Sequence, residues 1–121
     1  MNWKYFKYED FACKHCGANQ MTTKFIDELD EMREECGFAF VITSGYRCPE
    51  HNNKVSKTGL NGPHTTGRAV DIRVKNGRER DAIDVARRMR HWTRFGIAKT
   101  FVHVDNLTKA DGFDERVIWT Y

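Results

Sequence analysis

Asn61-Gly-Pro-His-Thr-Thr-Gly-Arg-Ala-Val-Asp-Ile-Arg-Val74 is the stretch around which the rest of the chain is read. Gly62-Pro63 ahead of His64 marks an irregular loop rather than the inside of a helix or strand. Gly67 permits a tight bend. Residues 69–74 then run Ala, Val, Asp, Ile, Arg, Val, as a strand would. A loop imidazole and a strand carboxylate, joined through a Gly-bearing turn, can point at one spot from two backbone directions. Such a pair makes two of the three protein ligands of a catalytic zinc ion, whose fourth position stays open. The third donor would be His103, in the strand-like run Phe101-Val-His-Val-Asp105.

The flanking sequence supplies a scaffold. Thr22 or Thr23 can cap a helix whose apolar face is Ile26, Leu29, Met32 and Cys36, with Asp27 and Glu28 near its positive end and Gly37 to stop it. Tyr5, Phe6 and Phe11 are expected to pack an N-terminal segment on the core. Phe38-Ala-Phe-Val-Ile-Thr43 reads as a buried strand and Ser44–Asn53 as a site loop at its end. Residues 77–95 read as a second amphipathic helix. Its apolar side is Ala82, Ile83, Val85, Ala86, Met89 and Trp92, with an arginine face of Arg78, Arg80, Arg87, Arg88, Arg90 and Arg94. Gly96 is expected to end it, residues 97–104 to return to strand, and Arg116–Tyr121 to add one more. Two main helices on one side of a mostly antiparallel sheet make an α+β domain, expected to be a single one over residues 1–121.

Composition narrows the classes. The chain has 121 residues, enough for one core without disulfides. A net charge of +3 is scattered rather than gathered in a patch, so no nucleic-acid partner is expected. No apolar run is long enough to insert in a membrane, and the charged first ten residues lack a secretory signal. The chain is therefore expected to be cytoplasmic as synthesised, and a monomer. The four cysteines leave two readings open. Cys13-x-x-Cys16 with Cys48 (and His51 three residues on) could hold a second, structural metal ion, or these are small buried residues, some pairing on oxidation.

Two more residues carry chemistry. Arg47, just beyond the first strand, presents a guanidinium that binds a carboxylate or oxyanion in bidentate fashion; the bland alternative is a surface pair with Glu50. Zinc-assisted amide hydrolysis also needs a carboxylate to move the proton of water. Asp105 lies two residues after His103 on the same strand face, as a candidate base or as a group orienting His103.

Taken together, Ser44-Gly-Tyr-Arg47, Cys48-Pro-Glu-His-Asn52, His64-x-x-Gly67-x-Ala69-x-Asp71, Phe101-Val-His103-Val-Asp105 and a closing Trp119 resemble the zinc D-alanyl-D-alanine carboxypeptidase family. The likeness is nearest to its small single-domain branch, which includes phage lysin peptidases. The resemblance implies a fold of the hedgehog/D-Ala-D-Ala peptidase type and zinc on His64, Asp71 and His103. It implies that Arg47 binds the substrate carboxylate or stabilises the tetrahedral intermediate, with Ser44 and Tyr46 beside it in substrate binding, and Asp105 is the candidate catalytic base. The implied partner is bacterial peptidoglycan, cleaved in its stem peptides by a phage or prophage protein that reaches the wall after release. The chain departs from the wider family at Thr100, where an acidic residue often stands three places before the last histidine. That leaves open a base from elsewhere, or a catalytically silent zinc-binding wall or virion interaction module.

Overall fold

The computed structural model describes residues 2–89 and 92–121, the side chain of Met89 excepted. Among them, three α-helices and five strands follow in the order α1 (Thr23–Cys36), β1 (Ile42–Ser44), α2 (Pro49–Val55), β2 (Ala69–Arg73), α3 (Gly77–Met89), β3 (Arg94–Ile97), β4 (Phe101–Asp105) and β5 (Val117–Thr120). The strands form one sheet in the order β1-β2-β4-β3-β5, antiparallel except for the parallel β3–β5 pair. This is the expected α+β architecture.

Alternation along the strands divides the sheet into two faces with different work. Val70, Ile72, Phe95, Val102 and Val104 join Phe25, Ile26, Leu29 and Met32 of α1 and Ile83 and Ala86 of α3 in one hydrophobic core. The residues between them, Asp71, Arg94, His103 and Asp105, therefore belong to the opposite face. Register then lines up one crosswise row: Ser44 opposite Asp71, Asp71 opposite His103, His103 opposite Gly96, and Gly96 opposite Trp119. A second row holds Ala69, Asp105, Arg94 and Val117.

The first helix is as expected at both ends. Thr22 caps it by accepting from Phe25 N, and Gly37 closes it in the left-handed region at φ 75°. Its first turn carries no acidic residue, however. Asp27 instead accepts from Trp3 Nε1 and Asp30 from the amides of Lys4 and Tyr5, so these carboxylates tie down the N-terminal segment. Phe6 and Phe11 of that segment are buried, as expected.

Four other expectations are corrected. The first strand covers Ile42–Ser44 rather than 38–43, because β2 ends at Arg73, whose amide donates to Val41 O, and leaves residues 38–40 no neighbour to pair with. Phe38 and Phe40 pack edge to face instead. Residues 49–53 of the supposed site loop belong to α2, with Pro49 in the first turn, where its missing N–H costs nothing. The second helix does not reach residue 95: α3 ends at Met89, and the presumed helix end at Gly96 and single strand 97–104 are a β3–β4 hairpin closed by Ala98 N to Phe101 O. On α3, Val85 is exposed, while Arg87 is buried, paired with Asp84 and lying over the Phe95 ring. Arg90 of the expected arginine face lies outside the described residues.

Candidate metal centre

His64 sits in a 3-10 turn, Pro63–Thr66, that ends at Gly67 with φ 78°. Glycine is needed there, because a Cβ at this position would come within 2.0 Å of Gln20 O. The turn aims the imidazole inward, and only 6 % of the residue is exposed. Its Nδ1 lies 2.8 Å from Gly45 O. A carbonyl can only accept, so the proton belongs on Nδ1 and the Nε2 lone pair faces the site. His103 is held in the mirror sense: Nε2 lies 2.6 Å from Asp105 Oδ2, leaving Nδ1 toward the site. Between them stands Asp71, whose Oδ1 is 3.3 Å from His64 Nε2 and 3.1 Å from His103 Nδ1.

These three donors converge within 4.8 Å of one another, so His64, Asp71 and His103 could hold one metal ion. A tetrahedral zinc ion with nitrogen and oxygen ligands sets its donors about 3.3 Å apart. The observed spacings fit, and both histidines have their second nitrogen anchored as metal-ligating histidines usually do. Electrostatics is tuned the same way. Burial alone would push the His103 imidazolium down, but hydrogen bonds to Asp105 and Asp71 outweigh it and raise the group to about 8. Burial also opposes ionisation of Asp71, yet the two histidines hold its carboxyl well below the usual range.

The group opens into a cleft of about 400 Å³. Arg47, Ser56 and Thr58 line one side, and Phe101, Trp119 and Tyr121 the other. Arg47 is not paired with Glu50 in the manner of a surface arginine. Its Nη1 donates to Asn52 Oδ1 and its Nη2 to Ser44 Oγ, 3.9 Å from Asp71 Oδ2. Asn52 is itself buried, its amide nitrogen donating to Thr58 Oγ1 and Gly59 O. Three neighbours thus fix the guanidinium, and Asn52 was not singled out in the sequence, where only its place in Pro-Glu-His-Asn hinted at it. Trp119 reaches its wall position because residue 96 is glycine: a Cβ there would meet indole atoms at 2.6–2.8 Å. The ring lies 5.1 Å from that of His103.

Two expected site residues stand elsewhere. Tyr46 is buried in the hydrophobic core and does not line the cleft. Ser44 braces Arg47 without lining the cleft itself. Asp105 needs a larger correction as the expected base. It is 0 % exposed, and Oδ2 takes His103 Nε2 and Arg94 Nε while Oδ1 takes Leu107 N. A base must reach a water in the cleft, and Asp105 lies behind the His103 ring with both oxygens engaged. Arg94, assigned above to the arginine face of a helix, is its partner and also lines the cleft.

The model of the Peptidase M15 family matches residues 4–105, a span that includes all three converging donors and Arg47. The chain belongs to the peptidase M15 family. Members are zinc-dependent peptidases, which agrees with the donor set described here. Trp119 and Tyr121 of the aromatic wall lie beyond the matched span of this M15 chain. A search of curated proteins finds no match.

Proposed function

We propose that residues 1–121 act as one zinc peptidase domain that hydrolyses peptide bonds in peptidoglycan stem peptides or cross-links. The observation that carries this is the convergence of His64 Nε2, Asp71 Oδ1 and His103 Nδ1 at the floor of a cleft flanked by a fixed guanidinium. On this reading the three residues hold the zinc, which when bound supplies Lewis acidity and hydroxide at neutral pH. Arg47 receives a substrate carboxylate or the developing oxyanion, already oriented by Ser44 and Asn52. The walls of Phe101, Trp119 and Tyr121 hold the apolar parts of the peptide and keep bulk water out. Asp105 is a positioning residue that keeps His103 in the tautomer with Nδ1 free. The preference for peptidoglycan, and a phage or prophage protein reaching the wall after release, rest on the sequence resemblance. No helix among the described residues is long and apolar enough to cross a membrane.

A second reading has its own observation. Among the described residues, Asp71 is the one carboxylate lining the cleft, and Thr100 stands exposed at the position, three before His103, where the sequence resemblance leads one to expect an acid. A zinc-binding wall or virion module without catalysis would look the same. Digestion of purified peptidoglycan, followed by mass spectrometry of released peptides, separates the two. New amine ends released by wild type but not by His64→Ala support the peptidase. Zinc-loaded wild type that binds the wall and releases nothing refutes it.

A further inference from the structure

A second donor cluster lies on the other side of the Arg47 loop. The sulfurs of Cys13, Cys16 and Cys48 converge within 4.8 Å of one another. All four cysteines of the chain are free thiols, and Cys36 is not part of the cluster. Cys13 and Cys16 are presented by one tight turn, in which Gly17 N donates to Cys13 O, Cys13 N donates to Ala18 O and Gly17 takes φ 79°. Cys48 is the residue immediately preceding α2, and its amide points at Cys13 Sγ from 3.4 Å. A nitrogen donor is at hand: His15 Nδ1 lies 3.8 Å from Cys48 Sγ, and the His51 ring stacks flat on that of His15 at 5.1 Å.

We propose that Cys13, Cys16 and Cys48, with one imidazole of the His15–His51 pair, form a structural zinc site distinct from the His64 centre. A closed tetrahedral site of three thiolates and one imidazole places its sulfurs about 3.8 Å apart, a spacing this cluster can meet. A disulfide would engage two sulfurs and leave the third, with its histidine neighbour, unexplained. The need for such a site is visible in the chain itself. Of residues 2–21 only the 3-10 turn Tyr8–Phe11 is regular, and none joins the sheet. Yet this segment supports the cleft. Tyr46 N donates to Phe11 O, and a Cβ on Gly45 would strike Phe11 Cα at 2.7 Å. Gly45 in turn supplies the carbonyl that orients His64, and Arg47 immediately precedes Cys48. The ion cross-links residues 13–16 to residue 48 and so fixes the loop that positions both His64 and Arg47.

The test is zinc content of the full chain by elemental analysis, with cobalt(II) exchange as a spectroscopic reading of thiolate ligation. Wild type is expected to hold about two zinc ions, and Cys16→Ser and His64→Ala about one each. The cobalt–thiolate charge-transfer band should persist in His64→Ala and in the control Cys36→Ser, and vanish in Cys16→Ser. Cys16 is exposed, so its loss removes a ligand rather than core packing. If Cys16→Ser does not fold, the wild-type cobalt spectrum decides alone. Absence of thiolate bands, a disulfide among the three, or one zinc unaffected by Cys16→Ser overturns the proposal. His15→Ala and His51→Ala identify the nitrogen ligand, and retention of the second zinc when both are replaced together overturns the imidazole corner. Because the readout survives in His64→Ala, it stands apart from whether the chain cleaves peptidoglycan.

Discussion

Asparagine at position 105 keeps the shape of the buried side chain and removes its charge. In the native protein Asp105 Oδ2 accepts from His103 Nε2 at 2.6 Å and from Arg94 Nε at 3.0 Å, with no solvent to replace either partner. Losing the outer partner of a ligating histidine typically weakens metal binding about 10–100-fold, or about 1.4–2.8 kcal/mol. The change also strands a guanidinium, and breaking a buried ion pair costs about 3–5 kcal/mol. Arg94 keeps its bond to Asp114 O and its place over Trp119, which favours the lower end of that range. Asp105→Asn should therefore lower zinc affinity 10–100-fold by competition with a chromophoric chelator, and shift the urea midpoint downward. Peptidoglycan cleavage should recover largely once zinc is raised to saturation. Undiminished zinc affinity together with abolished cleavage at saturating zinc would refute the positioning role and restore Asp105 as the base.

Gly96→Ala should destabilise the fold by about 1–3 kcal/mol through overpacking and change Trp119 fluorescence, since the new methyl meets the indole at 2.6–2.8 Å; an unchanged urea curve counts against the close contact. Arg47→Lys should retain zinc at the His64 centre but lose the two-pronged grip, raising KM about 10–100-fold as charge-assisted hydrogen bonds are lost; steady-state kinetics on a defined muropeptide checks it. The metal-free protein should lose stability as pH rises. His103 stands at about 8 in the folded state against an ordinary 6.5, so its contribution is complete below pH 6.5 and gone above 8. That difference is about 2 kcal/mol, readable from urea midpoints in chelator across that window. Zinc binding runs the other way, weakening about tenfold per pH unit below 8 as the His103 proton competes; titration by calorimetry at pH 6 and 8 measures it.

Local chemistry made part of this legible in the sequence. Gly62-Pro63, Gly67 and the alternation of residues 69–74 told loop, bend and strand, and so brought His64 and Asp71 to one place. The first helix was readable because a threonine cap and a left-handed glycine bracket a clean apolar stripe. What failed depended on partners remote in sequence. Asp105 reads as a free acid until Arg94 is known to face it across the β3–β4 hairpin. Tyr46 reads as a ligand-facing aromatic until the N-terminal segment is seen to bury it. Arginines 87 and 94 read as one helix face because their period is helical, whereas one lies over Phe95 and the other begins a strand. The helix α2 was hidden by polar residues that suit a loop equally well.

The crosswise row from Ser44 to Trp119 draws each of its five residues from a different strand. The β3–β4 hairpin alone brings Arg94, Phe101 and His103 to the cleft, but Asp71 and Trp119 come from strands outside it. Asp71 and His103 meet only after a chain closure of 32 residues, and Trp119 only after β5 docks alongside β3. Pairing β4 one residue out of step would send His103 to the helix-covered side and a valine into its place. Catalytic competence is consequently a late, all-or-none event in folding, with loops of long range to close first. Any partially folded form of the chain is expected to be inert, so its peptidase activity would be silent until the sheet is complete.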